Sequence, residues 1–273
     1  MTTETGYEQI LFEQRGRVGL ITLNRPQRLN AWTWQMNGEI ADAITRGNDD
    51  NGVGAMIITG AGRGFCSGAD MQVFDRAIDA RAKATTDEER ARASAPPERR
   101  GGGIGFYQRS KPILCAINGA AIGVGLTMTL TMDLRIASDQ ARFAVRFVRM
   151  GLTPEAMSTA YLPQIVGLPN ALELSMTGRI IGAEDALRMG LVSRVVPHDR
   201  LIDETMALAE EIAANPDDAV RAAKQLMHRN MVEQNLEEVQ RREGASITKQ
   251  YESAGHEEAV RAFLEKREPH FNQ

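Results

Sequence analysis

Apolar positions along this chain come first in short unbroken runs and later in helical stripes. Gln9 to Glu13 and Val18 to Leu23 are β-rich runs on either side of Gly16, the pattern of a hairpin, and Asn24-Arg25-Pro26 ends the second. Asn30 to Ala43 reads as a helix, and Val53 to Thr59 is an apolar, β-branched run closed by Gly60-Ala61-Gly62-Arg63-Gly64. Strand, turn, helix and strand recur after it, which predicts an α/β fold of right-handed βαβ units around a mostly parallel, buried sheet. From Ile181 the spacing becomes helical, over Ala183 to Met189, Leu201 to Ala214, and Asp217 to Met231 behind a helix start at Asn215-Pro216. The change divides the chain into a core, residues 1–200, and a helical C-terminal region, residues 201–273.

Two stretches need a closer reading. Ile113 to Met132 is long and mostly apolar, as a membrane span would be, but Asn118-Gly119 breaks it into a strand, Pro112 to Ile117, and a helix, Gly123 to Met132. Its many Gly and Thr residues suit close packing inside a protein. Asp75 to Gln108 is charged and alanine-rich and carries Pro96-Pro97, Arg99-Arg100 and Gly101-Gly102-Gly103, which predicts a helix and then a flexible linker that forms no core. Such a segment is either a solvated surface excursion or a mobile lid over a substrate site.

Composition narrows the function. The 273 residues are 42% hydrophobic and 25% charged, enough for one sizeable core. A net charge of −4 provides no basic field for nucleic acid or an anionic membrane. Cys66 and Cys115 cannot build a disulfide framework, and Met1 to Glu8 is polar, so a cytoplasmic protein is expected. His198, His228, His256 and His270 lack ligand spacing, so no metal is expected. The glycines of 60–64 do not have the spacing of a dinucleotide-binding turn. Cys66, with no histidine near it in sequence, reads as a packing residue rather than a nucleophile.

The chemistry lies in two glycine-rich turns, Phe65-Cys66-Ser67-Gly68-Ala69-Asp70 and Asn118-Gly119-Ala120-Ala121-Ile122-Gly123-Val124-Gly125, each after a strand-like run and before a helix-like one. N–H groups in the first turn of a helix have no intrahelical acceptor and sit at the positive end of the helix dipole. Two such ends aimed at one carbonyl oxygen would stabilise an enolate, which makes the pair a candidate oxyanion hole.

An ordered set of blocks resembles the crotonase superfamily, the enoyl-CoA hydratases and isomerases, over essentially the full length. Its members are Asn24-Arg25-Pro26 with Asn30-Ala31, Gly64 to Asp70, Lys111-Pro112 through Gly125, Asp133-Leu134-Arg135-Ile136-Ala137, Gly151-Leu152-Thr153-Pro154, Leu162-Pro163 with Val166-Gly167, and Ala186 to Val192. The resemblance implies a spiral of ββα units, a helical C-terminal region that builds homotrimers or dimers of trimers, and an acyl-CoA thioester as substrate. No separate cofactor is implied, because CoA is part of the substrate. It places the two oxyanion N–H groups on Ala69 and Val124, the latter where many relatives have glycine. CoA contacts fall on Arg28, on the main chain around Ser67, Ala69, Asp70 and Met71, and on Phe263 and Lys266, which in the family often reach a neighbouring subunit.

The acids depart from the best-known members. The family's hydratases hold a water between two glutamates, and those positions here are Thr127 and Phe147, neither able to act as a base near neutral pH. Glu155, directly after Pro154, is similar to the proton-shuttling glutamate of the peroxisomal-type 3-enoyl-CoA to 2-enoyl-CoA isomerases, and Thr127, Phe147 and Val124 match that group too. Thr127, Phe147 and Met150 would then line the acyl pocket. Burial among Phe147, Met150 and Met157 would favour the protonated form of Glu155 and suit a shuttle. Glu155 could instead be an ordinary acid in the first turn of a helix. Two other functions stay open: hydration by another acid, Asp70 or one on the 75–108 segment, and acyl-CoA binding without catalysis.

Overall fold

The computed structural model describes residues 3–4, 6–94 and 104–271. Eleven strands are found among them: β1 (Thr3–Glu4), β2 (Ile10–Arg15), β3 (Val18–Leu23), β4 (Ala55–Gly60), β5 (Gly64–Cys66), β6 (Ile113–Ile117), β7 (Ala120–Ile122), β8 (Leu134–Ser138), β9 (Arg142–Ala144), β10 (Ile181–Gly182) and β11 (Arg194–Val196). They form a seven-stranded sheet, in the order β1-β2-β3-β4-β6-β8-β11, and a four-stranded sheet, β10-β9-β7-β5. Every neighbouring pair from β3 to β11 in the large sheet is parallel, and β2–β3 is the antiparallel hairpin. Along the chain β4, β6 and β8 enter the large sheet and β5, β7 and β9 the small one in turn, which produces the spiral of ββα units.

Both faces are covered at the middle of the large sheet, which is why β3, β4 and β6 are mostly apolar and buried rather than alternating. Leu20, Ile57, Leu114 and Ile136 pack with Leu201, Ala209 and Ala213 of a helix, Leu201–Ala213. The opposite face, with Ile21, Ile58 and Cys115, forms the main core together with Phe65 and Phe143 of the small sheet.

Four boundaries differ from the sequence reading. The first helix, α1 (Trp34–Asp49), starts four residues later than expected, with Thr33 Oγ1 accepting the Met36 N–H at 3.0 Å. Asn30 is unavailable to it: at φ +54° its buried side chain accepts from Arg25 N at 2.8 Å and donates to the Ala61 and Gly64 carbonyls at 2.9 and 2.8 Å. Second, β11 lies where only helix is expected; its three residues are too few to show a strand period in sequence. Third, the helix expected over 123–132 is one α-turn, Val124–Thr127, followed by a 3-10 turn, Met128–Thr131.

The fourth is the 75–108 segment. It contains α2 (Met71–Lys83), α3 (Asp87–Ser94) and α4 (Ile104–Arg109), while Pro96-Pro97, Arg99-Arg100 and Gly101-Gly102-Gly103 lie outside the described residues. Phe106 and Tyr107 of α4 pack against the main core, contrary to the expectation that no core forms there. Ile113 to Met132 holds two strands and short helical turns, and among the described residues no helix is long and apolar enough to cross a membrane.

After α4 come α5 (Val124–Thr127), α6 (Ser158–Val166), α7 (Leu168–Thr177), α8 (Ala183–Arg188), α9 (Leu201–Ala213), α10 (Asp217–Asn230), α11 (Leu236–Tyr251) and α12 (Ala254–Glu265). A buried cation fastens α10 to the sheet. Lys224 Nζ donates to Asp133 Oδ2 at 2.7 Å, Ser110 Oγ at 3.1 Å and the Lys111 carbonyl at 3.3 Å. The same Asp133 oxygen accepts the Ile113 N–H at 2.7 Å, and His228 Nε2 lies 3.5 Å from its partner oxygen.

Candidate active site

The two glycine-rich turns leave the same ends of neighbouring strands, because β5 and β7 pair in parallel. In the first turn, the Trp32 N–H donates to the Gly68 carbonyl at 2.8 Å and the Asp70 N–H to the Trp32 carbonyl at 2.9 Å. A parallel bridge uses the groups on either side of Ala69 and turns its own N–H the other way. In the second turn, the Gly123 N–H donates to the Ala144 carbonyl of β9 at 2.8 Å, and Val124 opens α5. Among the described hydrogen bonds neither the Ala69 nor the Val124 N–H has an acceptor.

Glycine is required where the turns meet. A Cβ on Gly68, at φ +104°, would stand 3.1 Å from the Ile122 carbonyl oxygen, and one on Gly125 only 2.3 Å from that of Cys66. Val124, beside Gly125 in the second turn, lines a cavity of about 520 Å³. That cavity brings together Ser67, Ala69, Met71, Val124, Phe147, Met150 and Glu155, seven of the residues singled out from sequence.

Others fall elsewhere. Thr127, expected in the acyl pocket, is fully buried and does not line the cavity; its Oγ1 has no hydrogen-bond partner among the described residues. Arg28 is exposed outside the cavity, where its carbonyl accepts from Ser67 Oγ at 3.4 Å. Phe263, 83% exposed, and Lys266, at the end of α12, do not line the cavity of their own chain. Asp70, expected beside CoA and as an acid for hydration, is occupied. It caps α2 through the Gln72 N–H at 3.1 Å and pairs with Arg25 Nη2 at 2.9 Å. The Arg25 hydrogen bond holds its carboxyl below the usual carboxylate range, so it is not a proton donor near neutrality.

Glu155 is the only carboxylate among the described cavity-lining residues, and it departs from expectation in two ways. It is exposed rather than buried among Phe147, Met150 and Met157. Nor is it in the first turn of a helix: α6 begins at Ser158, whose N–H and Oγ donate to the Glu155 carbonyl at 3.1 and 2.6 Å. The next two residues, Ala156 and Met157, hold left-handed φ values of +53° and +61°. A non-glycine residue there costs on the order of 1–3 kcal/mol, and such strain clusters at functional sites. Cys66 is fully buried and burial pushes its thiol up to about 11, consistent with a packing role.

Sequence reasoning missed Arg146, half-buried and the only cation among the cavity-lining residues described. No motif announces it in the sequence, where it stands between Val145 and Phe147.

Comparison with known proteins adds to this geometry. The model of the enoyl-CoA hydratase/isomerase family matches residues 13–273. The chain is 33% identical to the 1,2-epoxyphenylacetyl-CoA isomerase of Escherichia coli K12, over 97% of its own length and 98% of the relative's. It is also 33% identical to an enoyl-CoA hydratase of Alternaria alternata, over 93% and 82% of the two chains. The crystal structure of an enoyl-CoA hydratase from Bacillus anthracis superposes with a TM-score of 0.84 at 29% identity, over 97% of this chain and 99% of that one.

Proposed function

The chain belongs to the enoyl-CoA hydratase/isomerase family, and on that premise we propose that it moves the double bond of a 3-enoyl-CoA to the 2-position, with Glu155 as the single base. The supporting observation is a cavity that holds two N–H groups without acceptors and, among its described lining residues, one carboxylate. The thioester carbonyl oxygen would accept from Ala69 and Val124. The Glu155 carboxylate takes a proton from C2, the electron pair delocalises into the carbonyl to give a dienolate, and the same carboxyl returns the proton at C4 as the double bond settles at C2–C3. Nothing is added or lost, so no water has to be held.

Phe147 supports isomerisation over hydration: it fills a wall of the cavity with an apolar ring that can neither orient nor deprotonate water. Exposure of Glu155 is compatible with the shuttle if bound substrate covers it, since closing a site over a carboxylate removes water from it.

We infer likewise that the chain assembles through its C-terminal helices as a trimer or paired trimers. Support comes from Met227, Leu236, Phe263 and Leu264, each more than 70% exposed on α10–α12. Phe263 and Lys266 would then meet CoA bound to a neighbouring subunit.

The test is Glu155→Gln assayed with 3-enoyl-CoA esters, following thioester conjugation by absorbance and water addition by product mass. The expected result is a loss of about 10³-fold in kcat, with the affinity for a saturated acyl-CoA unchanged. Retained double-bond migration in the variant overturns the assignment. Water addition without migration by the unaltered enzyme points to hydration instead.

A further inference from the structure

Arginines drawn out of water in this chain are paired. Among the described residues, Arg15, Arg17, Arg25 and Arg242 each hold a carboxylate, Arg135 holds the Thr129, Met132 and Leu191 carbonyls, and Arg221 holds the Arg109 carbonyl. Arg146 is the exception among the arginines that are not exposed. Its side chain makes no described hydrogen bond or ion pair, and it lines a cavity whose other walls include Phe74, Ile122, Leu152 and Met150. Half-buried and without a described protein acceptor, its guanidinium keeps its donors available to a ligand that enters the cavity. Glu155 lines the same cavity but is not ion-paired with it.

The side of the cavity is informative as well. Arg146 belongs to the segment 146–155 that also carries Glu155, whereas Ser67 and Met71 belong to the first glycine-rich turn and the helix after it. With the thioester carbonyl on Ala69 and Val124, a placement that rests on the isomerase reading, the acyl chain must run toward Glu155 for its C2 and C4 to be reached. CoA then leaves by the 67–71 side. Arg146 therefore faces the acyl group and not the nucleotide. We propose that Arg146 selects acyl groups that end in a carboxylate, so that the substrate is a CoA thioester of a dicarboxylic acid. A guanidinium fork matches a carboxylate through two parallel N–H···O bonds.

Saturated esters test this without turnover, so the outcome does not depend on whether the enzyme isomerises. Isothermal titration of the unaltered enzyme compares three ligands: free CoA, a methyl-ended acyl-CoA, and a carboxylate-ended acyl-CoA of equal chain length. The carboxylate-ended ester is expected to bind on the order of 10- to 100-fold more tightly than the methyl-ended one. Arg146→Met is expected to abolish that preference while leaving free CoA unchanged, and Arg146→Lys to retain part of it. Equal binding of the two esters by the unaltered enzyme overturns the proposal. So does an Arg146→Met variant that weakens free CoA and both esters alike, which would make Arg146 a phosphate contact. Should Arg146→Met fail to fold, the unaltered enzyme and Arg146→Lys decide the question between them.

Discussion

Lys224 is buried and Arg146 half-buried, and the fold treats these two cations in opposite ways. Lys224 reaches a carboxylate, a hydroxyl and a carbonyl, and the carboxylate it meets is itself anchored to the Ile113 N–H. Among the described residues Arg146 has no partner, and it shares its cavity with two N–H groups that have no described acceptor either. Where the chain needs polar groups to hold α10 against the sheet, it satisfies them internally. Where it leaves polar groups open, Arg146 and the two N–H groups line one cavity. Between these two cations, saturation separates the structural group from the proposed functional one more sharply than residue type does.

The largest effect expected from disturbing this contrast lies on the open side. Gly125→Ala places a carbon 2.3 Å from the Cys66 carbonyl, so α5 must shift and carry the Val124 N–H with it. Losing one oxyanion donor costs roughly 10²- to 10³-fold in kcat, and steady-state rates of this variant should fall by about that factor while acyl-CoA binding weakens far less. On the closed side, Lys224→Met strands Asp133 beneath α10, and chemical denaturation should report a loss of about 3 kcal/mol. Arg146→Met, which breaks no internal bond, should stay within about 0.5 kcal/mol of the unaltered protein in the same experiment. Comparable losses for the two variants would erase the distinction between saturated and open cations.

The smallest effect concerns the first turn. Asp70 is held below the usual carboxylate range, chiefly by Arg25, so its contribution to stability is fully present above about pH 4 and disappears as the pH falls through its depressed value. Urea midpoints followed from neutrality into acid should drop more steeply for the unaltered protein than for Asp70→Asn. Parallel curves would mean that the Arg25 pair does not clamp the turn.

Much of this arrangement was legible in the chain because it depends on local necessity. A strand buried on both faces has to be apolar almost throughout, as β6 is and β4 is up to Thr59, and two backbones in contact have to meet at glycine, as at Gly68 and Gly125. What escaped depends on distant partners. Asn30 is barred from a helix by carbonyls more than thirty residues away, and β11 exists only because β8 offers it an edge. Glu155 could be assigned to the cavity from its neighbours, but its exposure is set by how the 151–157 segment bends through two left-handed residues that no glycine announces. Arg146 escaped for a related reason: its identity is plain in the sequence, while its want of a partner is a property of the whole fold.

Cys66 stands three residues before Ala69 in the first glycine-rich turn, a position that would invite a covalent probe. Burial pushes its thiol up to about 11, so the reactive thiolate is scarce at neutral pH, and the side chain is sealed in the core. Alkylating and oxidising agents should therefore pass this pocket by, and an inhibitor for it has to succeed by affinity, with the two open N–H groups and Arg146 as its handholds.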